Sequence, residues 1–290
     1  MTQIAVLTPD PQDKSYIGRW PEVLARLTAV LQDTGARVVA TPWTDHVEDA
    51  SGLAAHDLIL PVITWGYHRD HDRWLAACET WSRAGLPVAN PAEVLRWNSD
   101  KSYLARLADQ GVPIPPTRWT DGVTQDQVNA VFAETGAQVL IVKPTVSAGA
   151  FRTLRLSPGE ALTEAPEGAA MIQPYLKSIE TEGETSLLVF GGCLSHAVNK
   201  RPVPGDFRIQ MQFGGLYQTV TPDAEAMALA EQVLAAIAEP LLYARIDMAR
   251  DDAGRWVLME AELIEPDFYL DYDPANGAGF AAAVAARLKA

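Results

Sequence analysis

At 290 residues the chain exceeds the size at which one hydrophobic core keeps growing, and its 48% apolar and 21% charged residues are ordinary for a globular protein of two or three subdomains. A formal net charge of −14 excludes nucleic acid and anionic membrane as partners, since both require a basic surface, but leaves room for a nucleotide in a locally positive pocket. Cys78 and Cys193 form no disulfide framework, residues 1–11 carry no basic leader, and no run reaches the ~20 apolar residues of a spanning helix, so a reducing cytoplasm is expected.

The N-terminal part alternates strand and helix. Residues 4–7 read as a buried strand, 22–34 as an amphipathic helix stopped by Gly35, and 37–40 as a second strand. Residues 57–63 give a third strand, 73–83 a helix ending at Gly85, and 86–89 a short fourth strand. This rhythm predicts parallel βαβ units, whose ligands gather at the carboxyl ends of strands, here Thr8-Pro9-Asp10 and Thr64-Trp65-Gly66-Tyr67. A helix follows over 91–97, and Ser99 or Asp100 is placed to cap the next one, over 101–108. Pro113, Pro115 and Pro116 mark a linker. Beyond it come a helix near 124–135, strands at 139–143, 152–156 and 170–173, and antiparallel strands through 185–220 turning at Gly191-Gly192. A helix over 224–238, a hairpin and a terminal helix from Ala275 complete the chain.

The hairpin, residues 243–268, holds the densest chemistry. Two apolar runs of β type flank the turn Asp251-Asp252-Ala253-Gly254. Residues two apart on a strand share a face, so Arg245 points with Asp247, and Glu260 with Glu262. A loop of two or four residues places Arg245, Asp247 and Glu260 on one face, an odd loop separates them, and the even loop is expected. Converging carboxylates repel unless a cation lies between them, and hard oxygen ligands suit Mg²⁺; a solvated polar face would alternate in the same way.

Three further groups stand upstream. Lys143 ends a strand just before Thr145 to Ala150, whose small side chains let backbone amides approach an anion, although the pattern is not a P-loop. After Gln173, a connector through Tyr175 and Leu176 offers amides to an adenine edge, and a nearby acid among Glu180, Glu182 and Glu184 would accept from ribose hydroxyls. Lys200, Arg201 and Arg208 bring positive charge, and Arg208 is suited to clamp a phosphoryl oxygen. His68 and His71, on the loop after the third strand, are candidate substrate contacts.

The order of these parts resembles the ATP-grasp superfamily, most closely the glutathione synthetase and ribosomal-protein glutamate ligase branch, over nearly the whole chain. The resemblance implies a mixed α/β and α+β fold: a parallel βαβ domain over 1–97, a small α+β lid over 113–175, and an antiparallel catalytic core over 98–112 and 176–290. It places Lys101 and Lys143 on the ATP phosphates and residues 145–153, with Ser147 and Gly149, in the loop that closes over them. Gln173, Tyr175 and Leu176 match the adenine hinge, Glu184 the ribose acid with Glu180 competing, and Lys200 joins the nucleotide set. Asp247, Glu260 and Glu262 fall on the metal positions, for two Mg²⁺ ions or Mn²⁺, while Arg208, Arg245 and Lys143 surround the transferred phosphate and acyl intermediate.

The reaction so implied joins a carboxylate to an amine through an acyl phosphate, on a small amino carboxylate, in a homodimer or homotetramer. Two departures stand out: Glu262 occupies a position where Asn is common, and the closing loop is poor in glycine. The tail Glu262-Leu263-Ile264-Glu265-Pro266-Asp267, with Ser195 to Lys200, resembles the subgroup of the D-cycloserine-forming cyclo-ligase, which closes an amide within one amino-acid derivative. An intermolecular amino-acid or peptide ligase, a small-molecule kinase and a non-catalytic ATP-binding protein remain as alternatives.

Overall fold

The apolar N-terminal runs pair as parallel strands in a computed structural model that describes residues 2–16, 18–149, 151–206 and 208–290. Residue 150 of the expected closing loop lies outside this set. The chain runs β1 (Gln3–Thr8), α1 (Trp20–Leu31), β2 (Arg37–Pro42), β3 (Leu58–Leu60) and α2 (His71–Arg83), and the sheet order is β2-β1-β3. The third strand is shorter than the span 57–63, and 86–89 forms only a single parallel bridge between Ile59 and Val88. Pro61 and Pro87 sit at the ends of these runs and lack the amide that a longer ladder requires.

Next come α3 (Ala92–Asn98) and α4 (Tyr103–Asp109). Lys101 therefore precedes α4 in a turn rather than riding on the helix, and neither expected cap holds: the α4 cap residue, Ser102, makes no side-chain cap bond. Instead Asp100 accepts from the Ser102 amide at 2.8 Å, and the Ser99 hydroxyl donates back to the Arg96 carbonyl at 2.6 Å.

The second sheet is antiparallel, in the order β4-β7-β5-β6, built from β4 (Arg118–Thr120), β5 (Leu140–Pro144), β6 (Leu154–Leu156) and β7 (Ala170–Pro174). Helix α5 (Gln125–Thr135) starts at a capping box between Thr124 and Gln127 and buries Val128 and Val131 against Leu140, Val142 and Ile172. Strand β6 begins two residues later than expected because Arg152 adopts a left-handed φ of 51°.

A short helix, α6 (Ser178–Thr181), leads into the five-stranded antiparallel sheet β10-β9-β8-β11-β12. Its strands are β8 (Glu184–Phe190), β9 (Cys193–Arg201), β10 (Leu216–Val220), β11 (Tyr243–Arg250) and β12 (Trp256–Glu262), with α7 (Ala224–Ile237) entering before β11. The β8–β9 turn uses Gly191 and Gly192 at φ 56° and 80°, the left-handed geometry a tight hairpin requires. One face of this sheet packs Leu187, Ile246, Met248, Leu258 and Ala261 under α7 and α4. Elsewhere Phe190, Tyr243, Phe268 and Phe280, the last on α8 (Ala278–Arg287), join the core shared with α1, β1 and β3. Each such side chain contributes about 1.5–3 kcal/mol on full burial, enough to fix the sheet against the N-terminal unit. Helix α8 starts after the expected Ala275 because the Asp273 carboxylate holds the Ala275 and Gly277 amides in a preceding turn. Among the described residues no helix is long and apolar enough to cross a membrane.

Candidate active site

The site is built on a corrected hairpin. Arg250 pairs with Trp256, so the loop spans residues 251–255 and is odd, not even. Its extra length follows from Asp251, whose carboxylate accepts the Ala253 and Arg255 amides, both at 2.9 Å. The register then shifts between Asp247 and Met248: Met248 faces Leu258, but Asp247 faces Glu260. Met259 is the extra residue of this bulge, and its insertion restores the alternation that the odd loop would have broken. Arg245 thus lies opposite Glu262, and Asp247 opposite Glu260, on the sheet face that looks away from α7.

The other strands bring partners to the same face. Lys200 on β9 is directly opposite Glu184 on β8, and Ser186 is opposite Asp247. The Lys200 ammonium bridges Glu184 Oε1 at 2.6 Å and Asp247 Oδ2 at 3.3 Å. Asp247 also accepts from Arg245 Nε at 3.0 Å and from the Ser186 hydroxyl at 2.5 Å. Arg245 Nη2 donates both to Asp247 Oδ2 at 3.0 Å and to Glu262. Glu260 turns to Lys101 at 2.9 Å, and Lys101 also donates to the Ser147 carbonyl at 2.6 Å. The lysine thereby ties the loop after β5 to β12.

Charge follows from this packing. Burial opposes ionisation of Asp247, yet Arg245 and Lys200 outweigh it and hold its pKa at about 2. For Glu262 burial wins, helped by the charges of Glu260 and Asp247 against Arg245, and its pKa rises to about 8. Burial would depress Lys200, but Asp247 and Glu184 lift it well above its usual value. Lys143 is pushed down by burial, with Glu260 opposing. Among the described residues Lys143 makes no ion pair, and no three His, Cys, Asp or Glu side chains are gathered to hold a metal ion. The three hairpin carboxylates share a face, but each is turned to a cation.

All of these groups except the fully buried Ser186 line one cleft of about 620 Å³. Ser147 and Gly149 edge it from the loop after β5, and Gln173, Tyr175 and Leu176 from the end of β7. The Gln173 side chain is already committed, donating to Thr117 Oγ1 at 2.8 Å, and the Tyr175 amide donates to the Val139 carbonyl at 3.0 Å. The bulge turns Met259 into the cleft near these residues. Glu184 lines the cleft, whereas Glu180 is exposed on α6 and does not. Arg208 reaches the rim with its guanidinium held by Asp206 at 2.7 Å, apart from the hairpin acids. From the N-terminal unit, Tyr16, Trp65, Tyr67 and His68 close the opposite end. His71 instead bonds Ser99 at 2.9 Å, outside the cleft.

Comparison with known proteins explains this arrangement. Residues 4–90 match the family model of the D-cycloserine synthetase DcsG N-terminal domain, and residues 114–253 that of the prokaryotic glutathione synthetase ATP-grasp domain. The chain is an ATP-grasp ligase. It is 29% identical to the cycloserine biosynthesis protein DcsG of Streptomyces lavendulae over 282 residues, which is 91% of this chain and 93% of that protein. It is 27% identical to the glutathione synthetase of Prochlorococcus marinus strain MIT 9313, over 87% of this chain and 80% of that one. The crystal structure of D-cycloserine synthetase DcsG superposes with a TM-score of 0.81 at 25% identity, covering 99% of each chain. A D-alanine–D-alanine ligase from Bacillus anthracis shares the fold, at TM-score 0.73 and 15% identity over 100% of this chain and 97% of that one.

In this ATP-grasp ligase several residues around the cleft had no signal in the sequence pattern. Asn98 donates to the Ala261 carbonyl at 2.8 Å and accepts the Leu263 amide at 2.9 Å, and Asn90 does the same for Leu263 and Leu242. They take the place of a neighbouring strand at the edge of β12. Asparagine next to apolar residues in a helix that starts after a proline was the available hint. Glu265 also lines the cleft, where its only cue was a carboxylate between Ile264 and Pro266.

Proposed function

We propose that this ligase activates the carboxylate of a small amino carboxylate with ATP and closes an amide within the same molecule, as the name D-cycloserine synthetase implies for its relative. The observation that carries the reading is the match of residues 4–90, which supply one wall of the cleft, to the N-terminal domain of that synthetase. The glutathione synthetase model matches only the nucleotide-handling part.

ATP-grasp ligases use ATP and Mg²⁺. The donor set fits both: unpaired Lys143 and loop-tied Lys101 suit phosphate oxygens, and three carboxylate side chains suit a hard cation. In this reading Asp247, Glu260 and Glu262 would hold two Mg²⁺ ions, or Mn²⁺, and the ions would supply neutralisation of phosphate charge. Ser147, Gly149 and the rest of residues 145–153 exclude water above the phosphates. Gln173 positions the hinge through Thr117, Tyr175 and Leu176 border the base, and Glu184 rather than Glu180 takes the ribose, since it alone of the two lines the cleft. Lys200 holds Glu184 and Asp247 in place. Arg245 and Lys143 stabilise charge on the transferring phosphoryl group, and Arg208 joins them after leaving Asp206.

The substrate carboxylate oxygen attacks the γ-phosphorus and the bond to the leaving ADP breaks. The amine then forms the C–N bond, loses its proton, and expels phosphate. A division into 1–97, 113–175, and 98–112 with 176–290 belongs to this proposal, and what supports it is that each of the three sheets lies within one unit. A cytoplasmic homodimer or homotetramer completes the proposal.

The test is release of ADP and phosphate from Mg-ATP across amino carboxylates supplied singly and in pairs, O-ureido-D-serine among them. Turnover on one compound alone, with a cyclised product by mass, supports the reading. Turnover only with pairs makes it an intermolecular ligase, and a phosphorylated product without free phosphate makes it a kinase.

A further inference from the structure

The charged side chains lining the cleft are almost all matched. Among the described residues, every lining acid except Glu265 has a cation within ion-pair distance, from Glu184 on Lys200 to Asp267 on Arg19 at 3.5 Å. Among the described residues no ion pair or hydrogen bond engages the Glu265 carboxylate, although it lines the cleft. The cleft's one unpaired cation among these residues is Lys143, at the phosphate side. The unpaired acid and the unpaired lysine therefore face a shared volume that wants a positive group at one end and a negative group at the other.

Glu265 is fixed at its end by its neighbours. Ile264 anchors in the core formed by Leu7, Tyr67 and Trp74 of the N-terminal unit, and Pro266 stiffens the backbone on the other side. The walls beside it are aromatic: Tyr16 and Trp65 pack at 5.7 Å, and Tyr67 lies behind them. Ring faces attract cations and repel anions, and two of them already hold a cation: Arg19 lies 5.6 Å from the Trp65 ring and Arg69 5.2 Å from the Tyr16 ring, each arginine also paired with an acid, Asp267 and Asp13. His68, in the same wall, is depressed to about 4 by burial, with Arg69 adding to the effect, so it supplies no positive charge at neutral pH.

We propose that Glu265 is the residue that recognises the ammonium group of the substrate, so that the cleft selects α-amino carboxylates over their hydroxy or des-amino counterparts. This rests on the ligase reading above. The substrate lies with its ammonium on Glu265 against the aromatic wall and its carboxylate toward Arg245 and Lys143, where phosphoryl transfer takes place. Burial, with the Glu262 charge next, pushes the Glu265 carboxyl well above the usual range, so an ammonium against it is what keeps it ionised. A charge-assisted hydrogen bond in such a site is worth about ten- to a hundredfold in affinity.

The experiment measures binding, by calorimetry with ADP and Mg²⁺ present, of ligand pairs differing only in the amino group: O-ureido-D-serine and its 2-hydroxy analogue, and D-alanine and D-lactate. In the wild-type chain the amino member of at least one pair binds about tenfold or more tightly than its partner. Glu265→Gln, which keeps size and shape, erases that preference; Glu265→Asp retains part of it; affinity for ADP stays at the wild-type value in both, showing that they are folded. A preference that survives in Glu265→Gln, equal binding of both members by the wild type, or no binding of any amine in the panel overturns the assignment. Amine-selective binding without ADP release from ATP on any carboxylate leaves the assignment standing and removes the ligase reading instead.

Discussion

Asp247 and Glu260 face each other across β11 and β12 only because two irregularities cancel, an odd loop at 251–255 and a bulge at Met259. Their environments differ. Asp247 is almost fully buried among Arg245, Lys200 and Ser186, whereas the Glu260 side chain is 28% exposed and, among the described residues, pairs only with Lys101. Glu260→Gln is expected to lower turnover by at least about a hundredfold while changing stability by no more than about 1 kcal/mol. Asp247→Asn should lose turnover equally and also cost roughly 3 kcal/mol, because Lys200 and Arg245 are left under-compensated. Urea unfolding beside steady-state ADP release measures both; equal stability of the two variants would remove the Asp247 hub.

Glu262 is the third hairpin carboxylate, and burial with the charges of Glu260 and Asp247 raises its pKa from the usual 4.5 to about 8. The folded chain binds this proton more tightly than the unfolded one. Its contribution to stability is therefore fully present below pH 4.5 and is lost as pH rises through about 8. Between those limits the metal-free protein should lose up to about 1.4 kcal/mol per pH unit from this group. Glu262→Gln should flatten the wild-type slope of melting temperature against pH; parallel slopes for the two proteins would place the proton elsewhere.

Lys143 is the reverse case. Its ammonium is desolvated without an ion pair among the described residues, and burial lowers its pKa from 10.5. A lowered lysine pKa means that the charged form destabilises the folded state at pH 7 until an anion arrives. Lys143→Met is expected to leave the ligand-free melting temperature unchanged or higher, and to weaken ATP binding by about ten- to a hundredfold. Calorimetry with ATP and a thermal melt read the two effects; unaltered ATP affinity would take Lys143 away from the phosphates.

Much of this was legible from residues alone. The 2-residue and 3.6-residue apolar periods located the βαβ unit, the hairpin and most helices, because each buries one face against a core. Asp247, Glu260 and Glu262 stood out as acids inside apolar strands and Lys143 as a lysine at a strand end, whereas Lys101 was singled out only by the ATP-grasp resemblance; the structure brings all five to one cleft. What escaped were relationships decided by single residues in three dimensions. Asp251 captures two amides and lengthens the loop, and nothing in the period of β11 announces it. Pro61 and Pro87 cut two strands short, and Asp206 holds Arg208 at the rim. Glu265 read as one more acid in an acidic tail, and its lack of a partner emerges only once every neighbour is seen to have one.

The glycine-poor closing loop invites a last prediction. Its bend is supplied by Gly149 at φ 60° and by Arg152 at φ 51°, so two left-handed positions flank its tip in place of a glycine run. Phe151, 42% exposed, reaches from that tip to the N-terminal unit and packs its ring 5.7 Å from His68. The contact spans the mouth of the cleft between the loop and the wall that holds the aromatic residues. An acyl phosphate is destroyed by water, so a seal at this point protects the intermediate more than it protects the fold. Phe151→Ala should therefore change melting temperature little, since an exposed ring contributes little on truncation. It should raise the ADP released per amide formed by several-fold, while Phe151→Tyr, which preserves the stacking ring, should keep the wild-type ratio. Parallel assays of ADP and amide product measure the coupling. Unchanged stoichiometry in Phe151→Ala would mean that solvent is excluded by the loop backbone and Lys101 alone.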